Sequence, residues 1–363
     1  MKQGSLRIFV FTYLPSPYQV ELFDAVAASG VDLFVLYACQ NHETPIAKNW
    51  TVPPIAHEHA FADAPGFQVR DMFARMERSD LYVMNYFRHP VAQPLLQERL
   101  RSGKAWCFWG ERPGAHHRGP LARLYRIMKL WTLRRSRAAI WGIGSWAVEA
   151  WRRDFGSGRP YHNVPYFSDL SRFASTREVA APRPARILFS GSLIERKGVD
   201  LLAKAFAVLA HDIPGVHLTL AGVGPMKEEL EIISSGCRDA VDFLDFVPWP
   251  DLPSVYAKAD LLCVPSRYDG WAMVVPEGLA AGLPVLTTDQ TGAAHDLIES
   301  GVDGWVVPAN DGDALLKSLR VAAALTGSQR SVMSQAAAAR ASTHQLSDGV
   351  ARFVQAAEAS LAA

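Results

Sequence analysis

The sequence predicts an α/β protein built from two doubly wound domains. Three observations carry that reading. Short apolar runs alternate with amphipathic segments along almost the whole chain. The runs are near-continuously apolar, the pattern of parallel strands covered on both faces. The 363 residues, 49% of them apolar, suffice for two hydrophobic cores.

In the first half the predicted strands are Arg7–Leu14, Val31–Ala38, Leu81–Asn85, Ala105–Trp109 and Ala138–Ile143. Helical periodicity lies at Tyr18–Ala28, Ala92–Leu100, Leu121–Arg135 and Trp146–Asp154. In the second half strands are expected at Arg186–Ser190, Val216–Ala221, Val241–Val247, Leu261–Pro265, Pro284–Thr288 and Trp305–Val307. Helical stretches follow them, starting with Val199–Ala210 and Met226–Ser234. The pattern breaks in polar, proline-containing chain at 168–186. The expected organisation is an N-terminal domain at 1–172, a C-terminal domain at 173–340, and a helix at 341–363 that packs back on the N-terminal domain. In such sheets ligands bind beyond the carboxyl ends of the strands, so strand-to-helix turns matter most, and a cleft between two facing domains is the expected site.

A net charge of +1 excludes a globally basic or acidic binding strategy. Cys39, Cys107, Cys237 and Cys263 show no metal-binding spacing and read as reduced thiols of a cytoplasmic protein. The apolar run in "MKQGSLRIFVFTYLP" is too short for a signal peptide or a spanning helix.

Three strand exits carry candidate chemistry. In "FSGSLIERKGVDLLAKAF", Gly191 and Ser192 end a strand, and Arg196-Lys197-Gly198 precede a helix. Free N–H groups at a helix start attract anions, and the two cations can neutralise a diphosphate; a solvated basic loop reads equally well. "LTLAGVGPMKEEL" has Gly222 and Gly224 but neither the third glycine of a dinucleotide fingerprint nor its acidic partner, which disfavours a nicotinamide dehydrogenase. In "LLCVPSRYDGWAMVVPEGLAAGLPVL", Asp269 lies in an exit loop. Glu277 lies eight positions on, about a turn inside a short helix that Gly282 ends. At that spacing the two acids address different parts of one elongated ligand, with the amides of Gly270, Trp271, Ala272 and Met273 between them, or they are a capping aspartate and a surface glutamate.

With "GSLIERKG", "AGVGP", "FLDFVP", "ADLLCVPSRYDGWAMVVPEGLAAGLPVLTTD" and "GVDGWVVPAND" in this order, the second half resembles the retaining nucleotide-sugar glycosyltransferases of family 4, which have the GT-B architecture. The resemblance covers about 190–311 strongly and the first half in outline. It implies two Rossmann-like doubly wound domains facing a central cleft, a nucleotide-sugar held by the C-terminal domain, and a glycan or lipid-linked glycan acceptor held by the N-terminal one. It places Asp269 at the transferred sugar, Glu277 at the ribose, Lys197 at the diphosphate, and Phe246 and Val247 beside the base. Gly191, Ser192, Arg196 and Gly222 border the same donor. The family's histidine near the reacting carbon has Glu111 or His117 as its counterpart after the strand "AWCFWG". The pattern departs from the family at Asp269, where glutamate is usual, and at Ser192, where arginine is usual. These departures motivate an alternative, a non-catalytic nucleotide-sugar-binding protein. The family's habits suggest envelope or exopolysaccharide assembly, at the cytoplasmic membrane face.

From Arg112 to Val148 there is no acidic residue. Arg123, Arg126, Lys129, Arg134 and Arg135 alternate there with Leu121, Leu124, Ile127, Met128 and Trp131. This segment suits an anionic membrane surface or a diphosphate-linked acceptor, or is an ordinary helix with a basic outer face. Nucleic acid is not expected, since no reading motif accompanies the patch. "DGD" at 311–313 precedes a helix and reads as an N-cap rather than a metal site. No metal or cofactor is expected.

Overall fold

The computed structural model describes residues 5–40, 53–87, 89–114, 119–174 and 185–362. In chain order the strands are β1 (Arg7–Thr12), β2 (Asp32–Tyr37), β3 (Glu58–Phe61), β4 (Leu81–Met84), β5 (Trp106–Gly110), β6 (Ala139–Gly142), β7 (Tyr161–Asn163), β8 (Arg186–Ser190), β9 (His217–Ala221), β10 (Val241–Leu244), β11 (Leu261–Val264), β12 (Val285–Thr288) and β13 (Gly304–Val307). The helices are α1 (Pro17–Ala28), α2 (Phe73–Arg78), α3 (Ala92–Arg101), α4 (Pro120–Lys129), α5 (Trp131–Arg135), α6 (Ser145–Phe155), α7 (Val199–Asp212), α8 (Lys227–Ile233), α9 (Leu252–Tyr256), α10 (Val274–Ala280), α11 (Gly292–Leu297), α12 (Gly312–Ala323), α13 (Gly327–Ala341) and α14 (Leu346–Leu361). The chain forms two compact units. One holds Met1–Asp169 with Gln345–Ala363, the other Leu170–His344.

In the first unit the sheet order is β3-β2-β1-β4-β5-β6-β7, with parallel pairing throughout. The expected strands are present. β3 and β7 are additional; "EHAF" and "YHN" are short and polar, and their alternate residues do not form an apolar run. One face of the sheet is covered by an aromatic core that includes Phe9, Phe11, Phe34, Tyr82, Phe108 and Trp151. On α14, Phe353 stacks edge-on against Trp141 and Trp109, with ring centroids 5.1 and 5.9 Å away. The indole of Trp141 donates to Ser360 Oγ at 3.0 Å. Gly349 lets α14 lie against Phe167, whose ring a Cβ would approach to 2.5 Å.

The second unit has the order β10-β9-β8-β11-β12-β13, again parallel. Ile187, Phe189, Leu218, Leu220, Cys263 and Leu286 face a core closed by α7 and α12. The expected strand at Val241–Val247 stops at Leu244, which leaves Phe246 and Val247 in its exit loop. Asp311 caps α12, accepting from the Ala314 amide at 2.9 Å, so "DGD" is occupied by helix capping. Each unit is thus a doubly wound Rossmann-like sheet.

Arg99, fully buried, pins the first unit. Its guanidinium donates to the carbonyls of Met76, Ser79, Asp80 and Ala105 at 2.7–3.1 Å. It therefore fixes the turns into β4 and β5 with a planar fork that lysine lacks. Arg99→Ala, which leaves several buried carbonyls unsatisfied, is expected to cost about 3 kcal/mol of stability, and Arg99→Lys to recover only part of it. Thermal unfolding of both variants checks this.

Candidate functional site

The strand order of the second unit reverses between β8 and β11. Ligands bind at such a reversal, beyond the strand ends. The exits of these two strands carry the motifs read from the sequence.

After β8, Gly191 adopts φ +151° and the chain makes one 3-10 turn at Glu195–Lys197. Gly198, at φ +67°, then starts α7. A Cβ at Gly198 would lie 2.0 Å from the carbonyl oxygen of Pro265 in the β11 exit loop. Glycine alone permits that approach. The two loops are joined there: the Arg267 amide donates to Arg196 O at 2.9 Å, and Arg196 Nη1 donates to Tyr268 O at 2.9 Å. The contact delivers the Lys197 ammonium directly onto the Asp269 carboxylate. The side chains of the pair are 18% and 11% exposed, so it is sheltered yet reachable.

The β9 exit supports the same loop. A Cβ at Gly222 would meet Gly191 O at 2.0 Å, and one at Gly224 would meet Leu193 O at 2.3 Å. Leu193 N donates to Val223 O at 2.9 Å. These glycines let two exit loops stack; they do not make a dinucleotide turn. Phe246 and Val247, half-buried, follow β10.

Asp269 is fixed from the β12 side too. Its amide donates to Gln290 O, and its carbonyl accepts from Gly292 N, both at 3.0 Å. Gly292 carries no Cβ because one would stand 2.0 Å from Gly270 O. Trp271 is buried, its ring centroid 5.5 Å from that of His344, so this side chain serves packing. Ala272 takes φ +74°, a conformation L-residues avoid at a cost of about 1–2 kcal/mol, and it turns the chain into α10 through Met273. No side chain caps the α10 start.

Glu277 is 6% exposed and sits one turn inside α10. Tyr256 OH donates to its Oε2 at 3.0 Å. Burial, and next the Glu277 charge, hold the Tyr256 phenol well above its ordinary pKa, which keeps it a donor; Ser190, at the end of β8, bonds the same phenol. Sequence reasoning missed Tyr256, since an aromatic on a short helix looks like core. It also missed Arg267, which grips Asp200 of α7 with two bonds of 2.6 and 2.8 Å and reaches Asn310 at 2.8 Å.

In the first unit the order reverses between β1 and β4. Thr12 Oγ1 donates there to Asn85 Oδ1 at 2.8 Å, and Asn85 Nδ2 to Trp109 O at 3.1 Å. Glu111 follows β5 directly and is exposed. It bonds the buried phenol of Tyr166, which burial and then this carboxylate push well above the usual pKa. His117 lies outside the described residues. On α4, Arg126 turns inward to Asp154 at 2.6 Å, and Arg123 reaches the same carboxylate at 3.3 Å. Lys129, Arg134 and Arg135 are exposed. Among the described residues, no group of three or more His, Cys, Asp or Glu side chains is arranged to hold a metal ion.

Residues 172–340 match the family described as glycosyl transferases group 1. The match lies within the second unit and covers less than half of the chain. A GDP-mannose-dependent α-(1-6)-phosphatidylinositol monomannoside mannosyltransferase of Mycolicibacterium smegmatis is 30% identical over 179 residues, which is 44% of this chain and 46% of that protein. An amylovoran biosynthesis glycosyltransferase of Erwinia amylovora is 29% identical over 144 residues, 38% of this chain and 35% of its own. The matched region thus spans less than half the length of either relative. The fold extends further. HepE of Anabaena, solved with UDP, superposes with TM-score 0.76 at 16% identity, covering 96% of this chain and 99% of its own. The GT-B fold expected from the motifs therefore holds, and the second unit is similar to group 1 glycosyltransferases.

The Asp200–Arg267 pair gives a pH test. Burial pushes the Asp200 carboxyl up, but Arg267 outweighs it and holds the group below the usual carboxylate range. The pair's contribution is fully present above the ordinary carboxylate pKa, about 3.9, and is lost as pH falls through the depressed folded value. Arg267→Ala is expected to cost about 3 kcal/mol near neutrality, by stranding a buried carboxylate. The gap from wild type should narrow in denaturation curves below about pH 4.

Proposed function

We propose that this protein is a retaining glycosyltransferase, which moves a sugar from a nucleotide-diphosphate sugar to an acceptor hydroxyl. The Lys197–Asp269 contact at the strand-order reversal carries the reading. It sets a cation and an acid, both sheltered from solvent, where such folds receive their ligands. The relatives' names support the substrate class: one is GDP-mannose-dependent, and HepE was solved with UDP and with UDP-glucose. Assembly of an envelope or secreted polysaccharide is the process that the amylovoran enzyme favours.

The chemical difficulty is charge. As the glycosidic bond breaks, the sugar becomes oxocarbenium-like and the diphosphate gains negative charge. The Lys197 ammonium, held by Asp269 in the free protein, transfers its hydrogen bonds to the diphosphate when the donor binds. Asp269 then accepts from hydroxyls of the donor sugar. The amides of Gly270 to Met273 and the cation Arg196 border the same phosphates. Glu277, oriented by Tyr256, accepts from the ribose. Donors preorganised in this way need no rearrangement during the reaction, and each contributes roughly 3 kcal/mol to the barrier reduction. By the resemblance to family 4, the acceptor attacks on the face the diphosphate leaves, and the departing phosphate takes the acceptor's proton. The resemblance gives Glu111 or His117 as the first-unit residue at the reacting carbon, and the acceptor belongs with that unit. The departures at Asp269 and Ser192 raise a non-catalytic alternative, but the relatives are named as transferases and do not support it.

Lys197→Ala is expected to lower kcat by about 10²–10³-fold and to weaken nucleoside-diphosphate binding in a thermal-shift titration. Near-wild-type turnover would remove Lys197 from the diphosphate. Tyr256→Phe frees Glu277 to reorient and should raise KM for the donor more than it lowers kcat. An unchanged KM would detach Glu277 from the ribose.

A further inference from the structure

We propose that α4 and the start of α5 dock this protein on an anionic lipid bilayer, with the apolar face of α4 in the interface and its basic flank at the headgroups. The helix is amphipathic, yet it is mounted with its apolar face outward. Leu121, Leu124, Tyr125 and Met128 form one stripe at helical spacing and are 82%, 54%, 56% and 65% exposed; Trp131 extends it at 52%. Among the described residues of this unit, the other exposed large apolar side chains, Leu100 and Leu361, lie singly along the chain.

The polar face is the one turned to the fold. Arg126 donates twice to Asp154, at 2.9 and 2.6 Å, and Arg123 lies 3.3 Å from the same carboxylate, whose side chain is 4% exposed. Leu130 and Leu133 fix the far end, both buried. Rolling the helix to bury its stripe would break the Asp154 bridges and strand a buried charge. The outward apolar stripe is therefore built in.

Charge identifies the occupant. No Asp or Glu occurs between Arg112 and Val148. Lys129 and Arg135 flank the stripe, lying 5.6 and 5.1 Å from the ring centroids of Tyr125 and Trp131, and Arg134 is exposed beside them. At the N-terminal end of α4 a pocket of about 390 Å³ is lined by Arg112, Arg123, Arg126 and Arg153 against the single carboxylate of Asp154. Aromatic and aliphatic groups ringed by cations, beside an arginine-lined pocket, match acyl chains below phosphate headgroups. A second copy of this face would bring like charges together, and nucleic acid would leave the apolar stripe uncovered.

The test is co-sedimentation of the full chain with vesicles, which needs no donor or acceptor. Binding to vesicles of phosphatidylglycerol and phosphatidylcholine (about 3:7) should exceed binding to phosphatidylcholine alone by at least tenfold. Joint replacement Lys129→Gln, Arg134→Gln and Arg135→Gln should reduce it by about fivefold per charge, roughly a hundredfold in all. The pair Leu124→Glu and Met128→Glu should abolish it while leaving the circular dichroism spectrum and thermal midpoint unchanged, since both positions are solvent-facing. Equal binding to both vesicle types, or full binding by the glutamate pair, would overturn the proposal. So would lipid-free self-association that the glutamate pair removes, which would assign the stripe to a second copy.

Discussion

The second unit depends on one close approach: the backbone of Gly198 against the carbonyl of Pro265. Parallel strands end their exits side by side, but loops carrying side chains would hold them apart. A glycine removes the obstacle, and the Arg196–Tyr268 and Arg267–Arg196 bonds then lock the loops together. The Lys197–Asp269 contact follows as a consequence. The same device recurs at Gly222 over Gly191, at Gly224 over Leu193 and at Gly292 over Gly270. Four strand exits are thereby stacked into one surface, with the charged groups where the sheet reverses.

Electrostatics and packing reinforce each other there. Arg267 neutralises Asp200 at the base of the loops, which leaves Lys197 and Asp269 as the sheltered pair above them. Tyr256 spans from Ser190 at the end of β8 to Glu277 in α10, so the second acid is positioned by the same strand that positions the lysine. Ala272 carries backbone strain at the entry to α10, and the surrounding bonds of Asp269 and Trp271 to the β12 exit hold it in place.

The parallel sheets were legible in the sequence because buried strands are apolar on both faces. The motifs singled out Lys197, Asp269 and Glu277, and the structure brings the first two into contact and sets the third against Tyr256. β3 and β7 were not legible, since four- and three-residue polar strands leave no periodic trace. Tyr256 and Arg267 were hidden because their roles arise from partners 21 and 67 residues away in sequence. The orientation of α4 was hidden for another reason. Amphipathic periodicity states that a helix has two faces, not which one the fold takes; the buried Asp154, on α6, decides it.

The most direct measurement of the central claim is a crystal structure of the protein grown with a nucleoside diphosphate. The account predicts the diphosphate beyond the ends of β8 and β11, with the Lys197 ammonium within about 3 Å of a phosphate oxygen and Glu277 at the ribose hydroxyls. A nucleotide bound elsewhere, with the Lys197–Asp269 contact intact, would contradict it.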